Sequence, residues 1–299
     1  MPEPQAAPAA GAPIGVFDSG VGGLTVLRAL REALPREDFI YLGDTARLPY
    51  GTKSPETVVR YSMQCAALLL ERNIGALVVA CNTASAFALP ALTLRYPHLP
   101  VIGVIEPGAE AAVTASSSQH IAVIGTEGTI QCGAYQNAIH ERSAAARVTA
   151  RPCSLFVALA EEGWTEGPVA EAIARRYLEP LFARRDPPDT LVLGCTHFPV
   201  LLPAIRAVVP AHVRIVDSAA TTALAVMRRL GHAYAATGTE RHEARASGPR
   251  ATSAPPEPAP GSAGRIRWLA TDGPERFARV GSTFFGTRLE PSVIEIVDL

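Results

Sequence analysis

Leu77-Val78-Val79-Ala80-Cys81-Asn82-Thr83 and Leu191-Val192-Leu193-Gly194-Cys195-Thr196-His197 follow one pattern: an aliphatic run, a cysteine, two polar residues, then an apolar segment of helical period. A short aliphatic run bounded by turn residues reads as a strand buried on both faces, as parallel strands are beneath crossover helices. A second echo precedes each copy. Ile14-Gly15-Val16-Phe17-Asp18-Ser19-Gly20 matches Ile121-Ala122-Val123-Ile124-Gly125-Thr126-Glu127-Gly128, with 63 residues from Asp18 to Cys81 and 70 from Gly125 to Cys195. The chain therefore reads as an internal duplication, two related α/β lobes.

Working outward, strands are predicted at 14–17, 39–42, 76–80, 101–104, 121–124, 191–193 and 214–216, alternating with helices that include 23–34, 55–72, 83–94, 129–140, 168–183 and 218–230. Such alternation specifies βα units around parallel sheets, and several of the helices begin with Pro or a Ser/Thr cap. About 235–264 breaks the pattern: Pro249, Pro255, Pro256, Pro258 and Pro260 stand among Ala, Ser, Gly and Arg without hydrophobic period, which reads as a flexible insertion. A strand at 265–269, a helix near 274–280 and a strand near 293–297 follow.

Composition bounds the function. With 299 residues, 48% hydrophobic and 18% charged, the chain has ample material for a core and is not intrinsically disordered over most of its length. A net charge of −1 without long runs of one sign marks no surface for nucleic acid or anionic membrane. No apolar run approaches the roughly 20 residues of a membrane span. Residues 1–13 are Ala/Pro-rich and lack the basic and apolar regions of a secretory signal, so they read as a disordered extension and the protein as cytoplasmic. The five cysteines are scattered and include no C-x-x-C pair, so most are expected as reduced thiols.

In open α/β sheets, ligands bind beyond the carboxyl ends of the strands, where helix N-termini offer free N–H groups. Cys81 and Cys195 both fall there. Facing each other across a cleft, they suit two-sided proton transfer, since inverting a carbon centre needs a base on one face and an acid on the other. Asp18 and His197 are the neighbours placed to tune them; Cys65, Cys132 and Cys153 read as small buried hydrophobes. Two other chemistries use some of the same residues: a Cys₂His zinc site of Cys81, Cys195 and His197, and a Cys195–His197 nucleophile pair that leaves Cys81 without a role. Ser19-Gly20-Val21-Gly22-Gly23 is a Gly-rich turn that fails the G-x-G-x-x-G pattern and reads as a place where an anion or backbone comes close. In Pro49-Tyr50-Gly51 the Tyr hydroxyl and the Gly N–H are candidate ligand contacts.

Together, Asp18-Ser19-Gly20-Val21-Gly22-Gly23-Leu24-Thr25, Gly43-Asp44-Thr45-Ala46-Arg47-Leu48-Pro49-Tyr50-Gly51, Ala80-Cys81-Asn82-Thr83-Ala84 and Gly194-Cys195-Thr196-His197-Phe198-Pro199 resemble the bacterial glutamate racemases of the aspartate/glutamate racemase family. The resemblance implies two pseudo-twofold-related lobes of three-layer α/β/α architecture with the active site between them. Lobe one would span 14–105 plus 218–299, interrupted by the insertion at about 235–264, and lobe two 106–217. It further implies racemisation of L- and D-glutamate for peptidoglycan synthesis, with no cofactor and no metal. Cys81 and Cys195 would be the acid/base pair, assisted by Asp18, His197 and Glu161. Substrate contacts would come from Asp18, Ser19, Tyr50, Gly51, Asn82, Thr83, Thr126, Thr129, Thr196 and His197. Glu162 follows Glu161, and the resemblance leaves open which of the two faces the cleft. Glutamate is then the small-molecule partner, with neither nucleic acid nor membrane required and a homodimer expected. The single lysine, Lys53, leaves a pyridoxal-phosphate Schiff base one candidate only. A related isomerase acting on aspartate or another small acid, and a bilobed amino-acid-binding protein without catalysis, are the alternatives.

Overall fold

The computed structural model describes residues 11–235 and 263–299; the extension at 1–13 and the insertion at about 235–264 lie, all but their edges, outside the described residues. Strand β1 (Ile14–Asp18) leads into helix α1 (Leu24–Ala33), β2 (Phe39–Gly43) into α2 (Pro55–Glu71), β3 (Ala76–Val79) into α3 (Asn82–Arg95) and β4 (Val101–Gly103) into α4 (Ile105–Ala115). The alternation continues through β5 (His120–Gly125), α5 (Glu127–Gln131), α6 (Ala134–Arg142), β6 (Arg147–Pro152), α7 (Leu155–Glu161), α8 (Pro168–Phe182), β7 (Thr190–Gly194), α9 (Leu202–Arg206), β8 (Arg214–Asp217) and α10 (Ser218–Ala235). Strand β9 (Ile266–Ala270), helix α11 (Pro274–Phe285) and strand β10 (Ile294–Ile296) complete it.

The strands form two parallel sheets, ordered β10-β9-β2-β1-β3-β4 and β6-β5-β7-β8. The run β2-β1-β3-β4 in the first has the same order as β6-β5-β7-β8 in the second, so every strand of the second sheet is the counterpart of the one four places earlier. The duplication read from the two cysteine segments is thus also a duplication of topology. The C-terminal segment returns to the first sheet, where β9 pairs with β2 in the register Tyr41↔Trp268.

Strands β1, β2, β3, β5 and β7 are buried along their whole length, which is why they stand out as near-continuous apolar runs. Strand β6 has no such run. Its sequence Arg147-Val148-Thr149-Ala150-Arg151-Pro152 lies on the sheet edge with its ends exposed, and it escaped the sequence reading for that reason. The helix expected over 129–140 is two helices, α5 and α6, because Gly133 adopts a left-handed φ of 71° between them. Ser54 caps α2 by accepting a hydrogen bond from the Thr57 N–H, with Pro55 in the first turn. Helix α10 packs on both α1 and α4, while α4 also lies against α6, β7 and β8. No helix among the described residues is long and apolar enough to cross a membrane.

Candidate active site

Parallel strands all end on the same side, and here the carboxyl ends of the two sheets meet. The turn after β1 touches the turn after β7: Thr25, in the first turn of α1, donates its hydroxyl to the Thr196 carbonyl at 3.0 Å. The short 3₁₀ turn Tyr50–Thr52 lies against α5, and α3 also contacts α5. Two glycines make this approach possible. A Cβ on Gly22 would lie 2.3 Å from His197 Nδ1 and 2.5 Å from Thr196 Oγ1, and one on Gly51 would lie 2.7 Å from Thr126 Cβ. The close approach expected at the Gly-rich turn therefore serves the opposing turn, which brings His197 and Thr196 to it.

Cys81 follows β3 as the N-cap residue of α3, in extended conformation, and is buried. Its Sγ lies 3.7 Å from Ser19 Oγ. Burial and then the neighbouring Asp18 charge push this thiol up to about 12, partly offset by hydrogen bonds from the Ala84 N–H and Ser19. Asp18, at the end of β1, has no exposed surface. One carboxylate oxygen accepts the Gly20 N–H at 3.0 Å, and the other, Oδ1, has no partner. Burial raises the Asp18 carboxyl above its ordinary value, against the opposing pull of His197 and of the N–H groups of Gly23, Gly20 and Ser19.

Cys195 occupies the counterpart position after β7 and is equally buried, with Sγ 3.9 Å from His197 Nδ1. The other ring nitrogen, Nε2, lies 3.1 Å from Glu161 Oε1, at the end of α7, and Glu161 Oε2 accepts from Arg276 at 2.7 Å. Arg276 belongs to α11, so the C-terminal segment reaches the second thiol's support. Burial opposes a charge on His197, but hydrogen bonds to Cys195 and Glu161, with the charges of Cys195 and Asp18, lift it to about 10. For Glu161, burial works upward and is outweighed by His197 and Arg276, which hold the carboxyl below its usual range. Of the two adjacent carboxylates it is Glu161 that contacts His197, whereas Glu162 is exposed. The Phe284 ring meets the His197 ring edge-on at 5.1 Å.

Next to the Cys81 turn stand three hydroxyls and one amide. Thr83, Thr126 and Thr129 form a triangle with Oγ1 separations of 3.0, 3.1 and 3.0 Å, joining the start of α3 to that of α5. Asn82 is buried; its Oδ1 accepts from the Tyr135 hydroxyl at 2.8 Å and its Nδ2 has no partner. The Tyr50 hydroxyl departs from expectation. It is fully buried and donates to Asp44 Oδ2 at 2.5 Å, with Cys65 Sγ 3.8 Å away, so it fastens its own loop and is not free for a ligand. The reason lies in Asp44, a carboxylate without exposed surface that also holds Arg47 at 2.7 Å and Thr271 at 3.0 Å.

Asp18, Ser19, Cys81, Asn82, Thr83, Thr196 and His197 thus share one buried region with Cys195 and Glu161. Tyr135, Arg276 and Asp44 were not predicted. Each acts from a different element; Asp44 is hinted at only by its place in the motif at 43–51, and Tyr135 only as an aromatic residue beside Gln136 and Asn137. Among the described residues no group of three or more His, Cys, Asp and Glu side chains is disposed to hold a metal ion. Cys195, His197 and Glu161 do line up as nucleophile, base and orienter would. A second thiol, Cys81, stands apart from this arrangement with a carboxylate neighbour of its own, Asp18.

Residues 14–226 match the model of the Asp/Glu/hydantoin racemase family. A glutamate racemase of Geobacter metallireducens is 48% identical over 278 residues, 92% of this chain and 93% of its own. That of Koribacter versatilis is 46% identical over 293 residues, 96% and 97% of the two chains. Among solved structures, the glutamate racemase of Francisella tularensis in complex with D-glutamate superimposes with a TM-score of 0.81 at 33% identity, covering 96% of this chain and 98% of that one.

Proposed function

The chain belongs to the Asp/Glu/hydantoin racemase family, and from that premise we propose that it interconverts L- and D-glutamate by two-thiol proton transfer. The observation that carries this reading is the placement of Cys81 and Cys195 after counterpart strands of two like-ordered sheets whose carboxyl ends meet. The division into lobes of 14–105 plus 218–299 and 106–217 goes with it. Glutamate as substrate rests on the relatives named above.

The chemistry follows from the surroundings of each sulfur. One cysteine, as thiolate, takes the α-proton from one face. The electron pair of the C–H bond stays on carbon and spreads into the α-carboxylate, and the opposite thiol delivers its proton to the other face. The two cysteines exchange protonation states in each turnover, so a neighbour must return a proton on either side. Asp18 serves Cys81; His197, oriented by Glu161, serves Cys195 and as a cation stabilises negative charge developing on that sulfur. The carbanion is stabilised by exclusion of water and by fixed donors: Asn82 Nδ2, buried without a partner, the buried Thr83 and Thr196 hydroxyls, and the N-terminus of α3. Ser19, Gly51, Thr126 and Thr129 complete the substrate contacts, with Tyr50 contributing through its backbone alone.

The test is proton NMR in D₂O, starting separately from each enantiomer and following loss of the α-proton signal together with optical rotation. Exchange and decay of rotation from both sides support the proposal. Cys81→Ser and Cys195→Ser should each lower racemisation by about 10²–10⁴-fold, the worth of a positioned acid or base. A single-thiol variant racemising at wild-type rate would refute the two-thiol step. D-glutamate made this way would feed peptidoglycan synthesis, and growth of depleted cells on supplied D-glutamate checks that role.

A further inference from the structure

Asn82 presents two hydrogen-bonding ends, and which of them meets the substrate decides what it can bind. Its Oδ1 accepts the hydroxyl of Tyr135 on α6 at 2.8 Å, while Nδ2 is buried without a partner. An amide pinned through its oxygen offers only its NH₂, a donor suited to carboxylate oxygen and useless toward an ammonium group.

We propose that Tyr135 is a positioning residue: its hydroxyl fixes the Asn82 amide so that Nδ2 donates to a carboxylate of the bound amino acid. This deepens the function proposed above and rests on it. The ring is held for the task. Tyr135 has no exposed surface, and a Cβ on Gly108 of α4 would lie 3.2 Å from both its Cε1 and its hydroxyl oxygen. A Cβ on Gly194, the residue before Cys195, would meet its Cε2 at 2.9 Å. The phenol thus runs beneath the second cysteine to the residue after the first. Burial, with the charges of Asp217 and Cys195, raises its pKa, so the hydroxyl keeps the proton it donates.

The inference is tested by a double-mutant cycle on the racemisation of glutamate. Tyr135→Phe should lower kcat/KM about tenfold, the scale of one oriented hydrogen bond to a charged group. In an Asn82→Ala background the same change should cost less than about twofold, because the group it orients is gone. A purely structural role would cost the same in both backgrounds, and that result, or wild-type kcat/KM in Tyr135→Phe, overturns the inference. Should Tyr135→Phe fail to fold, Gly108→Ala displaces the hydroxyl without removing it. Alanine also favours helix over glycine, so a several-fold drop in kcat/KM without a lower melting temperature supports the positioning role, and an unchanged kcat/KM overturns it. Wild-type protein that exchanges no α-proton of glutamate refutes the proposed function and this inference together; an active wild type with additive variants refutes this inference alone.

Discussion

Gly22→Ala perturbs the meeting of the two sheets at its tightest point. The added methyl would sit 2.3 Å from His197 Nδ1, 2.5 Å from His197 Cε1 and 2.5 Å from Thr196 Oγ1. Non-bonded heavy atoms settle at about 3.5 Å, so the imidazole must retreat by roughly 1 Å. Gly22 does not use the left-handed region, so alanine meets no backbone penalty and the whole effect is steric. The Cys195 Sγ to His197 Nδ1 separation of 3.9 Å is already at the long end for a sulfur hydrogen bond, and a further ångström removes it. Misplacement on that scale costs about 10²-fold in rate. Overpacking should cost about 1–3 kcal/mol of stability, which leaves the protein folded. The assay is the initial rate of α-proton exchange from each enantiomer, with a circular dichroism melt alongside. Because enantiomers are equally stable, kcat/KM must fall by the same factor in both directions. A folded Gly22→Ala protein with kcat/KM within about threefold of wild type would refute the claim that His197 must be held at this contact.

Arg276→Gln removes an ion pair whose arginine is half exposed, so the melting temperature should hardly move, as surface pairs are worth about 0–1 kcal/mol, while kcat drops several-fold as Glu161 loosens; equal loss of stability and rate would point to a structural role. Glu161→Gln takes away a negative charge that supports the His197 cation, so the upper limb of the pH–rate profile should move to lower pH, whereas the exposed Glu162→Gln leaves it in place. The folded-state pKa of His197, about 10, lies above its ordinary 6.5, so its contribution to stability is complete below about 6.5 and is lost as pH rises through about 10; Cys81, raised to about 12, adds a loss of the same sign at higher pH. Melting temperature should therefore fall between pH 7 and 10 more steeply in wild type than in His197→Asn. Asp44→Ala strands a largely buried Arg47 and the Tyr50 hydroxyl, and thermal melts should show a loss of about 3–5 kcal/mol.

The parts legible in the sequence were those governed by local rules. Strands β3 and β7 announce themselves because both faces are covered, and the cysteines that follow inherit their position from the strands. The helix start at Ser54-Pro55 could be read because capping is satisfied within one turn, whereas the start capped by Thr126 lies three residues before the expected one at 129. Strand β6 could not, since an edge strand needs no apolar run, and the break at Gly133 was invisible because glycine is tolerated inside helices as well as between them. The internal partner of the Tyr50 hydroxyl could not be read for a non-local reason. That hydroxyl donates to Asp44, which also accepts from Thr271, 227 residues further along the chain.

The two thiols show what duplication carries over and what it does not. Strand order and the placement of each cysteine are common to both sheets, but the charges beside them are opposite in sign: a buried carboxylate at Cys81, and at Cys195 an imidazole tied to Glu161 and Arg276. Such divergence suits a substrate that is not symmetric. Beneath the α-carbon of an amino acid the two faces differ in how its ammonium, carboxylate and side chain are arranged, so in the proposed mechanism each thiol needs its own electrostatic support even when the reactant and product are mirror images. The local echo around Cys81 and Cys195 reports the shared part. The part that differs comes from residues brought in by other elements, with Arg276 standing 115 residues from the Glu161 it holds, and only the folded chain assembles it.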